Sequence, residues 1–168
     1  MEDAEVLFGI YCPPHPQPLL SPDANHGYSK LRAAFETCRE RIEQSDADLL
    51  IVYSTTWPSI IGHQIQAHPE PEWVHVDDDF HYLGSMPYKF KMDVDFAECL
   101  VDSAKSRGLH SRTIAYDGFP IDTGSVVALK LLNPDNRIPA CIVSSNMYAN
   151  RPETIVLGKS IRDCLLYT

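Results

Sequence analysis

The chain has 168 residues, 44% of them hydrophobic and 22% charged, and its 14 basic against 23 acidic side chains give a net charge of −9. This length predicts a single domain over residues 1–168, with a core large enough to fold unaided. An acidic balance without a basic stripe argues against a nucleic-acid partner. No apolar run approaches the roughly 18–20 residues that a membrane span needs, and residues 6–10 are too few for a signal-peptide core. We therefore expect a cytoplasmic protein with no membrane partner.

The five cysteines lie in or beside apolar patterns, and no two of them have C-x-x-C spacing. An odd number of cysteines without a metal-binding spacing is typical of reduced core residues in a cytosolic protein. The sequence predicts no zinc site.

The first third of the chain predicts two buried strands joined by a helix. The apolar run Val6–Tyr11 is ended by two prolines and predicts a buried strand. The proline-rich stretch 13–25 predicts a loop. Apolar residues at helical spacing predict a helix over Ser29–Glu43 with Ser29 as its N-cap. The continuous apolar run Leu49–Tyr53 predicts a strand buried on both faces, which completes a right-handed βαβ unit.

The remaining elements alternate between strands and helices. We predict, in order, extended segments over Gly62–Ala67 and Glu72–Val76, a helix over Val94–Ser106, a strand over Arg112–Ala115, a helix over Gly124–Leu132, a strand over Ala140–Ser144, and a final helix that a capping box opens at Asn150. This alternation predicts an α/β layered fold with a mostly parallel central sheet. A strand would normally follow the final helix, so we expect an unfinished sheet edge that a partner or a second copy covers.

Candidate site residues follow the first two predicted strands. The carboxyl ends of parallel strands are where α/β sheets place their sites. His15 could ligate a metal, bind an anionic or phenolic substrate, or be held by a backbone carbonyl. Thr56 is a poor ligand for a transition metal, which prefers imidazole and carboxylate. Trp57 could be a packing residue or a platform for a substrate.

A second candidate region brackets the turn Gly-Phe-Pro at 118–120, with Asp117 before it and Asp122 and Thr123 after it. Asp122 is either a helix cap or part of a pocket floor. The histidines at 63, 68, 75 and 81 share no helix face, although two of them flank the acidic run 77–79, where a cation could bind adventitiously. The chain contains no nucleophile elbow, P-loop or dinucleotide fingerprint.

These motifs resemble a known family. Residues 11–16 (Tyr-Cys-Pro-Pro-His-Pro), 54–57 (Ser-Thr-Thr-Trp) and 117–124 (Asp-Gly-Phe-Pro-Ile-Asp-Thr-Gly) are similar to class III extradiol ring-cleavage dioxygenases, and the resemblance runs from about residue 6 to 165. That family holds Fe(II) with two histidines and a carboxylate.

The resemblance implies that most of this site has been lost. His15 matches the first metal-ligating histidine, while Thr56 stands where the second is expected. Thr123 stands where the family has an acid–base histidine. The glutamate ligand belongs to a C-terminal part of the fold that this chain lacks. Within the family, the residues resemble most closely the non-catalytic α subunits of aminophenol-cleaving enzymes, which pair with an active β subunit.

The resemblance therefore implies a non-catalytic subunit, without a cofactor of its own, that assembles with an Fe(II)-containing catalytic homologue or with itself. Its remaining pocket, which could still take a small phenolic or aminophenol ligand, would be lined by His15, Tyr53, Thr56, Trp57, Asp122 and Thr123. Two alternatives stay open: an active Fe(II)-dependent dioxygenase with an atypical site, or a stand-alone binding protein for small aromatic ligands.

Overall fold

The computed structural model describes residues 5–165. The helices in this range are α1 (Gln17–Leu20), α2 (His26–Glu43), α3 (Val94–Ser106), α4 (Thr123–Leu132) and α5 (Arg151–Leu165). The strands are β1 (Leu50–Ser59), β2 (His63–Gln66), β3 (Glu72–His75), β4 (Met86–Lys89), β5 (Ser111–Ile114) and β6 (Ala140–Asn146). Two short 3-10 helices span Pro22–Ala24 and His81–Leu83.

The main sheet has the strand order β1-β6-β2-β5. The pairs β1–β6 and β2–β5 are parallel, and only the central pair β2–β6 is antiparallel. Strands β3 and β4 form a separate antiparallel pair. The prediction of an α/β fold with a mostly parallel sheet flanked by helices is therefore confirmed.

The sheet separates two apolar cores. Successive side chains of a strand point to opposite faces, and along β6 Ile142 belongs to the core under α2 and α4, while Cys141 and Val143 belong to the core under α3 and α5. Because β6 is buried on both faces, its sequence is a continuous apolar run. This central strand fixes the position of the helix ends that surround the candidate site.

Local sequence signals account for most helix boundaries. The Asp93 carboxylate caps α3 by accepting a hydrogen bond from the Phe96 N–H at 2.8 Å. The predicted capping box at α5 is present, since the Asn150 and Glu153 side chains each accept a hydrogen bond from the other's backbone N–H, at 3.0 and 2.8 Å. Such reciprocal bonds satisfy N–H groups that a helix start leaves unpaired.

The prediction of a buried strand at Val6–Tyr11 is wrong. The segment forms no strand, and Tyr11 is 94% exposed. It lies beside α2, where the Phe8 ring packs 4.9 Å from the Arg41 guanidinium carbon. An apolar run indicates that a segment can be buried but does not supply a hydrogen-bonding neighbour. The predicted βαβ unit fails with it, because α2 connects an irregular segment to β1.

Two smaller predictions also need correction. Helix α2 begins at His26 rather than at Ser29, and its cap is Asn25, whose side chain accepts from the Tyr28 N–H at 3.0 Å. The stretch 13–25 is not only loop, since it contains α1 and a 3-10 turn whose prolines sit in the first turn, where no N–H is needed. Strand β4 was not predicted. Residues 166–168, where an unfinished edge was expected, lie outside the described residues.

Candidate functional site

Thr56 and Trp57 lie on a bulge of β1. Strand β1 pairs with β6 from Leu50 to Ser54, and the pairing resumes only at Pro58. Residues 55–57 therefore have no partner on β6, and a bulge of this kind turns side chains away from the regular ladder. The bulge brings the Thr56 hydroxyl to the N-terminus of α4.

Asp122 caps α4 and also ties the helix to β1. Its Oδ2 accepts hydrogen bonds from the Thr56 hydroxyl at 2.6 Å, the Ser54 hydroxyl at 2.8 Å and the Ser125 N–H at 3.0 Å. Its Oδ1 accepts from the Ser125 hydroxyl at 2.8 Å. An ionised carboxylate offers about four acceptor positions, two on each oxygen, so the three donors on Oδ2 saturate that oxygen and the Ser125 hydroxyl takes one of the two positions on Oδ1. The arrangement suits a structural cap better than a metal ligand, which needs free carboxylate lone pairs.

Gly124 brings three segments into close contact at this point. A Cβ atom on Gly124 would lie 2.5 Å from Thr56 Oγ1 and 2.9 Å from Pro14 Cβ. Helix α4, the bulge of β1 and the proline loop that carries His15 therefore meet here. The His15 ring is exposed, and its neighbour is the Phe80 ring, with centroids 6.2 Å apart in an edge-to-face arrangement, rather than a backbone carbonyl.

Thr123 is bonded to two residues that the sequence analysis did not place in the site. The Thr123 hydroxyl donates to Asp77 Oδ2 at 2.5 Å, and the His75 Nε2 lies 2.7 Å from Thr123 Oγ1. Because the single hydroxyl proton goes to Asp77, His75 carries its proton on Nε2 and donates it to Thr123.

The hydrogen bonds around Asp77 affect its charge. Partial burial acts to raise the pKa of this carboxyl, but the hydrogen bonds from Thr123 and from the Phe80 and Asp79 amides, with the nearby His75, outweigh burial and hold the pKa below its usual value. His75 is the last residue of β3 and Asp77 follows it by two positions, a spacing at which the side chains of an extended chain point the same way. That spacing was the one signal in the sequence that could have paired them.

Aromatic rings border the region on two sides. The Trp57 ring packs against Phe119, with centroids 5.5 Å apart, and Phe119 packs against Tyr116 at 5.3 Å. On the other side Phe80 contacts both His15 and Tyr82. Trp57 also packs against the core under α4, which favours the packing residue among the two alternatives.

Tyr53 lies apart from the other predicted pocket residues. It precedes Ser54, whose hydroxyl faces Asp122, and neighbouring side chains of a strand point to opposite faces. Ile51, two residues earlier, packs in the core under α3 and α5. The structure thus gathers Thr56, Trp57, Asp122 and Thr123, with His15 on the adjoining loop, and places Tyr53 on the other face of the sheet.

The four histidines of the middle segment have separate surroundings. His63 is buried with its Nδ1 3.4 Å from the Ser144 carbonyl oxygen, His68 pairs with Asp117 at 2.7 Å, and His81 is exposed. Among residues 5–165, no three His, Cys, Asp or Glu side chains form a group that could hold a metal ion.

The large groove of the molecule lies elsewhere. It has a volume of about 880 Å³ and runs between the β3–β4 pair and the end of α4. Its lining is mainly apolar and aromatic, with two lysines, and includes Trp73, Tyr88, Phe90, Lys89 and Lys130. None of the predicted pocket residues lines it.

Comparison with known families decides the classification. The profile described as the catalytic LigB subunit of aromatic ring-opening dioxygenase matches residues 9–167. The chain belongs to this family. The resemblance noted in the sequence analysis is thereby confirmed over nearly the whole chain.

Three relatives of the chain are dioxygenases or dioxygenase subunits. The chain is 30% identical over 161 residues to the 2-aminophenol 1,6-dioxygenase alpha subunit of Pseudomonas sp, covering 95% of this chain and 59% of that subunit. It is 28% identical over 181 residues to the beta subunit of the same name and genus, covering 99% and 59%. It is 23% identical over 128 residues to 3,4-dihydroxyphenylacetate 2,3-dioxygenase of Escherichia coli, covering 74% and 46%. The chain thus spans 59% of the length of the first two relatives.

A solved structure of an uncharacterized Escherichia coli K12 protein superposes with a TM-score of 0.45 at 18% identity, over 66% of this chain and 38% of that one. Within the described range, no helix combines the length and the apolar character that crossing a membrane requires.

Proposed function

We propose that this LigB-family chain is a non-catalytic subunit of an extradiol aromatic-ring-cleaving dioxygenase of the 2-aminophenol 1,6-dioxygenase type. It binds no Fe(II) of its own and works in the cytoplasm with a catalytic homologue that supplies the metal. The proposal covers the role of the whole protein, although the chain spans 59% of the length of its two-subunit relatives.

The hydrogen bonding of Thr56 supports this proposal most directly. Thr56 stands where the family resemblance places a metal-ligating histidine, and its hydroxyl is bonded to Asp122 at 2.6 Å. The same carboxylate is committed to Ser54 and Ser125. A facial site needs ligands with free lone pairs that converge on one point. Here the hydroxyl and carboxylate groups satisfy one another, which favours a structural role.

The relatives support the assembly part of the proposal. The chain is similar both to an alpha and to a beta subunit of a two-subunit dioxygenase, at 30% and 28% identity. A subunit that retains the fold and loses the metal ligands can still contribute surface, stability or a ligand pocket to such an assembly.

Purification of the chain alone tests the proposal. After incubation with Fe(II) under nitrogen and desalting, we expect less than one-tenth equivalent of iron by elemental analysis. We also expect no oxygen uptake with 2-aminophenol. Co-expression with a catalytic homologue that retains its histidines should give a complex that copurifies and consumes oxygen. That homologue expressed alone is the control. Stoichiometric iron together with ring cleavage by the isolated chain would overturn the proposal.

A second candidate function, an active dioxygenase with an atypical site, is favoured by one observation. The His75 imidazole is hydrogen-bonded to Thr123, at the position where the resemblance expects an acid–base histidine. This candidate predicts that His75→Phe and His15→Ala abolish oxygen uptake by the isolated chain, while His26→Gln, at an exposed histidine on α2, leaves it unchanged. Equal rates in all three variants would exclude it.

A further inference from the structure

Two cysteines meet where the two helices on one face of the sheet pack together. Cys99 lies on α3 and Cys164 lies in the last turn of α5. The Cys164 thiol is hydrogen-bonded to Cys99 and to the side chain of Ser103, one turn further along α3. Helices α3 and α5 pack closely, and both cysteines belong to the core beneath them. The two residues are far apart in the sequence, so the fold alone brings them into contact.

The two thiols differ in exposure and in how firmly they hold a proton. Cys164 is 1% exposed, whereas Cys99 is partly exposed. Burial, with the hydrogen bond to Cys99 and the negative charge that Cys99 can carry, raises the pKa of Cys164 to about 12, against the hydrogen bond from Ser103. Cys164 therefore keeps its proton at neutral pH and can donate it to the Cys99 sulfur. Cys99 is the sulfur that solvent reaches, and Cys164 is the thiol that stays protonated beside it.

A third cysteine near this pair has no access to solvent. Cys141 of β6 is fully buried. Burial, with the charges of Asp93 and Cys164, raises the pKa of Cys141, so it stays a neutral thiol. Because a thiolate reacts with an oxidant and a buried neutral thiol does not, an oxidant in solution reaches these cysteines through Cys99.

We propose that Cys99 and Cys164 are a redox pair, in which a hydroperoxide oxidises Cys99 and Cys164 converts the product to a disulfide between α3 and α5. The Cys99 thiolate attacks the O–O bond of the peroxide, which gives a sulfenic acid on Cys99 and releases the other oxygen as hydroxide or alkoxide, protonated from solvent. The Cys164 sulfur then displaces hydroxide from the sulfenic acid, and the Cys164 proton joins that hydroxide as water. With hydrogen peroxide, two thiols and one peroxide give one disulfide and two waters; each sulfur loses one electron and the peroxide gains both.

The contact between the two sulfurs favours the second step. Groups that are held in contact react as if one were present at very high concentration. A sulfenic acid next to a second thiol condenses to a disulfide before it is oxidised irreversibly to a sulfinic acid. Arg107, at the end of α3, pairs with Asp163 beside Cys164, and this ion pair helps to hold the thiols together. Oxidation fastens the last turn of α5 to α3, and a thiol reductant releases it.

This inference goes beyond the proposed function and does not depend on it, because the thiols can be oxidised whether or not the chain binds iron. Its test measures the state of the cysteines, and the proposed function is tested by iron content and oxygen uptake. Failure of one therefore leaves the other standing.

Oxidation of the reduced, folded chain by hydrogen peroxide tests the pair. After brief treatment, the remaining thiols are blocked with N-ethylmaleimide and the chain is digested. We expect mass spectrometry to find the peptides of Cys99 and Cys164 joined by a disulfide. The chain should lose two of its five thiols, and dithiothreitol should restore both.

Substitutions separate the roles of the two cysteines. Cys164→Ala removes the second thiol, so dimedone should label the sulfenic acid of Cys99 roughly tenfold more strongly than in the parent, because the competing disulfide step is gone. Cys164→Ser, which keeps the size of the side chain, should give the same labelling and replaces the alanine variant if that one does not fold. In Cys99→Ser, Cys164 should remain a thiol because it is buried.

Cys38→Ser is the matched control, since Cys38 is a partly exposed cysteine on α2, away from the pair. It should form the same disulfide to the same extent as the parent. A disulfide that joins other cysteines, or one that forms only after the chain is unfolded in urea, would overturn the proposal. So would a Cys99 thiol that survives peroxide in the folded chain, or equal dimedone labelling of the parent and Cys164→Ala.

Discussion

Gly124 shows at the level of one residue how tightly the candidate site is packed. A Cβ there would lie 2.5 Å from Thr56 Oγ1, so Gly124→Ala must push the β1 bulge or the Pro14 loop aside. We expect the free energy of unfolding to fall by about 1–3 kcal/mol, against the usual gain from alanine in a helix. Urea unfolding measures it. Gly158→Ala is the control: a Cβ on Gly158 of α5 would meet no atom within 4 Å among the described residues, apart from its own helix backbone, and the change should stabilise by roughly 0.5–1 kcal/mol.

Replacing Asp122 by Asn should lower the free energy of unfolding far more than the same change at an ordinary helix cap. Asn caps helices about as well as Asp, but Asp122→Asn removes the charge that four donors address and replaces one of the two acceptor oxygens by an NH₂ donor. We expect a loss of about 1–3 kcal/mol in unfolding free energy. Asp93→Asn, whose capping carboxylate accepts from the Phe96 N–H, should change it by only a few tenths. Equal effects of the two substitutions would show that the bonds from β1 contribute nothing.

His63 makes stability depend on pH. Burial, opposed by the Ser144 carbonyl and the charge of Glu153, lowers the pKa of His63 below its ordinary value. Its Nε2 has no hydrogen-bond partner among residues 5–165. The unfolded chain therefore takes up this proton first as the pH falls below about 6.5. The contribution of neutral His63 to the free energy of unfolding is therefore complete above about pH 6.5. It is lost as the pH falls below that value, by up to about 1.4 kcal/mol per pH unit.

Denaturant unfolding of the parent and of His63→Phe, between pH 7.5 and 5.0, tests this prediction. The parent should lose stability with a steeper slope than the variant. His26→Gln, at an exposed histidine, should keep the parent slope. Parallel curves for the parent and His63→Phe would contradict the assignment.

At the scale of elements, the sequence predicts what local signals determine. Helix α3 is recoverable because Phe96, Leu100 and Ala104 recur on one face and Asp93 caps the start. Strand β6 is recoverable because burial on both faces leaves a continuous apolar run. The segment Val6–Tyr11 has the same apolar character, but hydrogen bonding to a neighbouring strand is not encoded in its own composition. Strand β4 was not predicted because it has only four residues and one of them is a proline, which argues against a strand.

Local sequence likewise predicts one part of the candidate site and not the other. Its α4 side was predictable, since Asp122 and Thr123 open a helix after a Gly-Phe-Pro turn. The His75 and Asp77 contacts to Thr123 join residues 48 and 46 positions apart. Nothing in their local sequence predicts that pairing, because it depends on where the β3–β4 pair packs.

The hydrogen bonds that join the Thr123 hydroxyl to His75 and Asp77 should hold the end of β3 against the start of α4. Thr123→Val removes the hydroxyl while keeping the shape, so the pKa of Asp77 should rise towards its usual value, because a hydrogen bond that lowers it is lost. Amide exchange over residues 72–77 should become faster. Thr123→Ser keeps the hydroxyl and should resemble the parent in both measurements. Carboxyl titration by nuclear magnetic resonance, with hydrogen exchange, gives the comparison; an unchanged pKa in the valine variant would contradict it.

At the scale of the whole molecule, the two cores share one sheet. Leu129 of α4 lies in the core on one face, Leu100 of α3 lies in the core on the other, and both side chains are almost fully buried. Adjacent residues of β6 belong to different cores, so neither core can lose its packing without disturbing the strand that the other needs. The two halves should therefore unfold together.

Leu100→Ala and Leu129→Ala test this coupling. Each should lower the unfolding free energy by about 2–5 kcal/mol, the usual cost of such a cavity. Unfolding should remain one transition, with the same midpoint by far-ultraviolet circular dichroism and by tryptophan fluorescence. Fluorescence reports mainly the α4 side, because Trp57 packs against that core. A Leu100→Ala protein whose circular dichroism melts before its fluorescence would mean that the α3 and α5 layer unfolds separately, contrary to a single cooperative sheet.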